Sequence, residues 1–294
     1  MTIRYTLGCE LSYDVITPTV FIFNFEVARM QGHQDLVERL TVTPDIPRRT
    51  YIVPDIRNRY VSVDAAPGPL HVRYEAEVTL DLLRADPATI GETPLAAIPL
   101  DIMPFLLPSR FVPSDRLAPF ALREFGKLPK GHVRVTAICN WLYDNIDYQR
   151  GSSDEQTTAD ESLLLRAGVC RDFAHLGVAF CRALSIPARI VSCYAHGLEP
   201  SDFHAVFEAY LDGRWWLFDA TRQADLDGLV RIGVGRDAAE IAFASPFGEY
   251  EPGTVRITMG RADGSPGGPL RTTDAISTDE PATNAGAIDT ANTV

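Results

Sequence analysis

Two apolar runs meeting at Asp212-Gly213 constrain this chain more than any other stretch. Asp-Gly is a two-residue turn of the kind that joins antiparallel strands, because both of its positions tolerate positive φ. It sets Leu211 opposite Arg214, and every pair outward follows in step. One face of the hairpin then carries Phe203, Ala205, Phe207, Ala209 and Leu211 against Trp216, Phe218 and Ala220, an apolar surface suited to a core. The other face carries His204 and Asp219 as diagonal cross-strand neighbours, roughly 7 Å apart at the backbone and within side-chain reach. A histidine beside a carboxylate on a shared face has the two parts of a proton shuttle, a base and a group to orient it.

Upstream runs Gly168-Val169-Cys170-Arg171-Asp172-Phe173-Ala174-His175-Leu176-Gly177-Val178-Ala179-Phe180-Cys181. Phe173, Leu176, Gly177, Phe180, Cys181 and Leu184 recur at helical spacing, which predicts a helix with one buried stripe, closed by Pro187. Cys170 falls in its first turn, where unpaired N–H groups and the positive end of the helix dipole favour an anion. A thiol there, served by a histidine, suits nucleophilic attack on a carbonyl. The amide of Cys170 itself is the first candidate to hold the resulting oxyanion, with Tyr148, Gln149 or Gln156 as candidates for a second donor. Cys9, Cys139, Cys181 and Cys193 lie among apolar neighbours and read as small core residues. His175 and His196 compete with His204 as base, and Asp202 competes with Asp219 as its orienter. His175 sits in the helix body, His196 in a loop that could line the rim, and Asp202 precedes the paired region. Glu208 shares the His204 face but lies about 13 Å along the strand.

At these positions the chain resembles a known family. Gly168-Val169-Cys170-Arg171-Asp172-Phe173-Ala174, Ile186-Pro187-Ala188-Arg189, His204-Ala205 and Phe218-Asp219-Ala220-Thr221 are similar to the transglutaminase-like superfamily of bacterial cysteine proteases. That family is related to eukaryotic transglutaminases and, more distantly, to papain-type proteases and peptide N-glycanases. The resemblance covers residues 115–222 and implies a Cys170–His204–Asp219 triad. It also implies a β-rich N-terminal region before residue 110. The family commonly has Trp where this chain has Val206, and Pro where it has Ala220.

The implied fold class is α+β: a papain/transglutaminase-like domain, in which a Cys-bearing helix packs on an antiparallel sheet bearing His and Asp, preceded by an antiparallel β domain. The expected boundaries are 1–110, 111–260 and a tail, 261–294, whose Gly, Ser, Thr, Pro, Asp and Ala without an aromatic predict disorder. Period-two alternation predicts strands at 2–15, 19–28 and 71–82, with shorter ones at 37–43 and 50–53 and a last one at 253–259. A linker punctuated by Pro99, Pro104, Pro108 and Pro113 leads to helices over 117–125 and 132–146. A short helix through 163–165 follows, capped by Thr158 with Glu161 and ended by Gly168. Gly233-Val234-Gly235-Arg236-Asp237 mimics a dinucleotide fingerprint but lacks the strand–turn–helix context, and reads as a loop near the active side with Arg236 and Asp237 structural.

A net charge of −12 and the lack of any basic run argue against nucleic acid as a partner. No stretch is apolar enough for a membrane span, and five irregularly spaced cysteines fit a reducing cytoplasm. The opening Met1-Thr2-Ile3-Arg4-Tyr5 enters a strand directly, without a signal-peptide pattern. The sequence thus points to a thiol enzyme acting on amide bonds of peptides or proteins, without a cofactor. Hydrolysis is favoured, and transfer to an amine is the alternative. A peptide-binding module that keeps the fold without turnover, or a metal site built from Cys170, His175, Cys193 and His196, are the readings of other classes.

Overall fold

Alternating side chains organise the N-terminal part of the computed structural model, which describes residues 2–265 and 274–277. Strands β1 (Ile3–Val15), β2 (Thr19–Phe23), β3 (His33–Thr43), β4 (Arg48–Ile52), β5 (Arg59–Ala65) and β6 (Gly68–Leu80) form two antiparallel sheets, followed by the short β7 (Leu83–Ala85). β6 pairs with β1 from Ile3 opposite Leu80 to Val15 opposite Gly68, and with β3 on its other edge. β5 joins β2 to β4 in the second sheet. The inward residues of both sheets share one core, with Tyr5, Phe21, Phe23, Phe25 and Tyr74 its largest members. The expected strand at 19–28 ends at Phe23. β5 has no counterpart among the expected strands, because only Val61, Val63 and Ala65 carry its apolar face.

The second half begins with α1 (Ser114–Phe125), α2 (His132–Asn145), β8 (Asp147–Tyr148), α3 (Ala159–Leu165), β9 (Ala167–Gly168) and α4 (Cys170–Ala183). An antiparallel sheet follows, ordered β12-β11-β10-β13, from β10 (Ala188–Ala195), β11 (Phe203–Leu211), β12 (Arg214–Phe218) and β13 (Leu229–Gly235). The hairpin register is the expected one: Leu211 faces Arg214, Ala209 faces Trp216 and Phe207 faces Phe218. Asp212 and Gly213 both take positive φ, 49° and 74°, as the tight turn requires. α4 lies on β11 so closely that a Cβ at Gly177 would stand 2.5 Å from the Phe207 ring. The expected single buried stripe of α4 is corrected. Every residue from Asp172 to Arg182 is buried, because α1, α2 and α3 cover the side facing away from the sheet.

Three local expectations also change. α1 starts at Ser114 rather than 117, α3 ends at Arg166 in the left-handed region rather than at Gly168, and Gly233-Val234-Gly235 lies in β13 rather than a loop. The last follows from pairing, since β10 bonds one edge of β13 and the Asn58 side chain serves Val234 from the other.

The chain then returns to its start. β14 (Ala244–Phe247) pairs with β2, and β15 (Tyr250–Arg261) pairs with β1 along its length. The expected boundary at 260 is therefore corrected: residues 244–261 complete the N-terminal sheets, whose open edges need partners. β16 (Ala275–Ser277) pairs with β7 and is fully buried, which overturns the expected disorder for that part of the tail. The remaining tail positions, 266–273 and 278–294, lie outside the described residues. The two halves share a core as well, since Tyr194, Val230 and Ile232 enter the N-terminal cluster. Among the described residues no helix is long and apolar enough to cross a membrane.

Candidate active site

Cys170 opens α4 because the segment before it is pinned from two sides. β8 and β9 pair in parallel, Tyr148 opposite Gly168, and the Gln149 amide donates to the Gly168 carbonyl at 2.9 Å. Asp172, at the third helical position, turns back to accept the Val169 N–H at 2.8 Å and the Ser153 hydroxyl at 2.5 Å. Gly168 permits this, since a Cβ there would lie 2.6 Å from the Asp172 Cβ. The N-terminal N–H groups beyond this cap point at the space around the sulfur. Cys170 is the partly exposed cysteine, and the other four are buried. Burial holds those four thiols protonated, Cys9 pushed up to about 12 and Cys139, Cys181 and Cys193 raised as well.

His204 and Asp219 meet as the register requires. The ring's Nε2 lies 2.9 Å from Asp219 Oδ2, and Asp219 Oδ1 accepts both the Thr221 N–H at 2.8 Å and its hydroxyl at 2.7 Å. With Nε2 engaged, Nδ1 is buried without a direct hydrogen bond, and the Cys170 thiol stands beside the ring. Burial alone would strip the proton from His204, but the Asp219 charge and hydrogen bond, helped by Cys170, hold its pKa up to about 10. Burial alone would raise Asp219, and the His204 and Thr221 contacts outweigh it, so its carboxyl is held below the ordinary value. The three residues singled out in the sequence are thus brought together.

The competitors are engaged elsewhere. His175 is fully buried against Phe111, its Nε2 accepts the Ala238 N–H at 3.1 Å, and burial drives it down to about 3. His196 sits 3.5 Å from Asp225 and packs on Tyr5 of the N-terminal sheet. Asp202 is exposed and accepts the adjacent Phe203 N–H. Glu208 is buried between Arg189 and Arg231. Asp237 binds the Phe111 N–H, and Arg236 pairs with Glu240. Among the described residues no group of three or more His, Cys, Asp and Glu is placed to hold a metal, and the set proposed from sequence is dispersed.

Of the three candidates for a second oxyanion donor, Gln156 is exposed in the turn begun by Asp154, and Gln149 contributes its backbone to β9. Tyr148 is the one on the nucleophile. Its ring packs 5.9 Å from that of Phe173, and its hydroxyl lies beside Cys170. Burial, reinforced by the sulfur, pushes its pKa up to about 12, so it stays a donor. Asp172, Ser153 and Thr221 are supporting residues that the sequence reading missed. The Asp at the third helical position was the available signal for the first of them.

Comparison with known proteins follows the same division. Residues 123–220 match the model for the transglutaminase-like superfamily, and residues 3–90 match that for the bacterial transglutaminase N-terminal domain. A solved structure titled "a Putative Cysteine Protease from Cytophaga hutchinsonii" is 39% identical, with a TM-score of 0.89 over 94% of this chain and 98% of that one. Among curated proteins, the uncharacterised ML0607 of Mycobacterium leprae is 28% identical over 47% of this chain and 52% of its own length. Rv2569c of Mycobacterium tuberculosis, also uncharacterised, is 31% identical over 61% of this chain and 60% of its own length. The chain therefore spans about half to three fifths of the curated relatives it matches.

Proposed function

This chain belongs to the transglutaminase-like superfamily, and from that we propose that it is a thiol-dependent acyl-transfer enzyme that cleaves amide bonds of peptides or proteins. The supporting observation is the His204–Asp219 hydrogen bond at 2.9 Å, with the second ring nitrogen left without a hydrogen bond and Cys170 beside the ring. Sulfur attacks the carbonyl carbon, and its proton resides on His204 Nδ1. The oxyanion is held by the Cys170 N–H and the Tyr148 hydroxyl. His204 then protonates the departing amine, leaving an acyl-thioester on Cys170. Water, deprotonated by His204, attacks that ester and restores the thiol. Asp219 keeps Nε2 protonated throughout and offsets the imidazolium charge.

An amine in place of water turns hydrolysis into crosslinking. We favour water because the Cytophaga relative is described as a cysteine protease. The test is iodoacetamide labelling with peptide mapping at neutral pH, beside hydrolysis of a peptide library. Cys170 should label fastest of the five thiols, and Cys170→Ala should abolish turnover. Equal labelling of all five, or turnover surviving in Cys170→Ala, refutes the reading. Incorporation of a labelled primary amine in preference to hydrolysis would select the transferase instead.

A further inference from the structure

Just past Asp219 the backbone bends into a conformation that few side chains favour. Asp219 Oδ1 holds both the Thr221 N–H and its hydroxyl, and the next residue, Arg222, takes a φ of 56°. That left-handed region penalises a Cβ and suits glycine, so the backbone alone would select glycine here. An arginine kept at such a point directs attention to what its side chain does. The side chain is half-buried and held in place. Its guanidinium stands 3.9 Å from the centroid of the Tyr143 ring, and Nη2 donates to Asn140 Oδ1 at 2.5 Å. These contacts engage one face and one of the five N–H groups that a guanidinium carries. Among the described residues Arg222 makes no other hydrogen bond and pairs with no carboxylate. Asp219, the nearest acid in sequence, is already committed to His204 and Thr221.

Two routes along the chain tie this cation to the nucleophile. Three steps of backbone lead from Asp219 to Arg222, a span of at most about 11 Å. On the other side Tyr143 precedes Tyr148 by five residues, and the Tyr148 hydroxyl lies beside Cys170. Arg222 thus stands within a few residues' length of a peptide bound at Cys170. Two other arginines approach the site and differ from it. Arg171 is turned to the Asp154 carbonyl and towards Asp172. The charge of Arg150 reaches Tyr148, but no contact among the described residues fixes its exposed side chain. We propose that Arg222 is a substrate-binding residue that selects peptides with a carboxylate close to the scissile amide, an inference that rests on the thiol-enzyme reading above. A guanidinium whose plane is held by an aromatic ring grips a carboxylate through two parallel N–H bonds, and an uncharged amide of the same size gains less. The carboxylate has two sources, an Asp or Glu side chain within the peptide or the α-carboxylate at its end.

The test uses capped nonapeptides in which a single Glu, or Gln in its place, occupies each position in turn, beside the same Gln peptides with a free C-terminal carboxylate. Hydrolysis on the full natural chain is read as kcat/KM, and binding to full-length Cys170→Ala is read by calorimetry. At one or two positions Glu should be favoured over Gln by about tenfold, and the ratio should shrink as salt rises. Arg222→Lys should keep part of that ratio, and Arg222→Glu should reverse it. Arg222→Gly, which suits the left-handed φ, should abolish the ratio with little change in the unfolding midpoint. A Glu preference in capped peptides assigns the side chain, and a preference confined to free C-termini assigns the α-carboxylate. Should the natural chain hydrolyse no peptide, the thiol-enzyme reading fails by itself, and the Glu-to-Gln binding ratio on Cys170→Ala still decides the role of Arg222. Three results overturn the proposal: no preference for a carboxylate in either assay, a ratio intact in Arg222→Gly while the unfolding midpoint falls, or a ratio lost in Arg150→Gln and kept in Arg222→Gly.

Discussion

Opposing influences on His204 define the chemistry that the site can sustain. Burial pushes its proton off, while Asp219 and then Cys170 hold it on, and the balance near 10 leaves the ring protonated at neutral pH, ready to supply a leaving amine. Activity that needs this imidazolium falls as pH rises through about 10. Asp219→Asn removes the largest influence favouring the proton, so the alkaline limb of a kcat/KM profile should shift to lower pH while overall activity drops. An unmoved limb would separate that limb from His204. The pair also links stability to pH. The raised His204 value gives stabilisation that is full below about 6.5 and lost as pH climbs through about 10. The lowered Asp219 value gives stabilisation present above 3.8 and lost as pH falls further. Tyr148 acts on a different quantity. A donor aimed at developing charge lowers the barrier without binding the ground state, so Tyr148→Phe should cut kcat by roughly 10²-fold and leave KM nearly unchanged. A change confined to KM would make Tyr148 a substrate contact.

The helix that carries the sulfur owes its position to two glycines, and each makes a separable prediction. At Gly177 an added methyl meets the Phe207 ring at 2.5 Å, so Gly177→Ala forces α4 off β11 and should destabilise the fold by about 1–3 kcal/mol in urea unfolding. At Gly168 the same methyl meets Asp172 and breaks the cap rather than the core. Gly168→Ala should therefore lower turnover more than it lowers the unfolding midpoint, and a loss purely of stability would dissociate the cap from catalysis. The sequence made this architecture legible to an uneven degree. Asp212-Gly213 fixed the hairpin register, and alternation revealed β1, most of β2 and β6, because two-residue periodicity and turn chemistry are local. The covering of α4 on both sides was hidden, since a stripe of apolar residues does not reveal that three other helices bury the polar-looking Asp172, His175 and Arg182 as well. β5 escaped for a related reason. Ser62 and Asp64 face outward on a strand whose apolar face is only three residues long.

At the level of the whole chain the two expected domains share strand pairings and a core, and this has a thermodynamic consequence. Composition drew a boundary at the proline-rich linker, but it could not show that 244–261 turn back to pair with β1 and β2, nor that Tyr194, Val230 and Ile232 fill the N-terminal core. Such pairings join residues more than two hundred positions apart, and no local pattern records them. Asn58 is the polar joint. Its side chain accepts the Val234 N–H and donates to the Val234 carbonyl, both at 2.8 Å, and a second donated bond reaches the Glu240 carbonyl at 3.2 Å. Val234 is buried, so removing the amide leaves its peptide N–H unsatisfied, a loss of about 1–3 kcal/mol. Were the halves independent, Asn58→Ala would lower the melting of the first half alone and split the calorimetric trace. A shared core predicts otherwise: the natural chain melts in one transition, and Asn58→Ala moves that whole transition down without dividing it. Because Val234 lies on the strand next to β10, whose Cys193 pairs with His204, loosening this joint should also widen the distribution of His204 ring positions. The accompanying expectation is a fall in Cys170 alkylation rate in Asn58→Ala at temperatures well below its melting point. An alkylation rate equal to that of the natural chain would show that the N-terminal sandwich supports the fold without tuning the site.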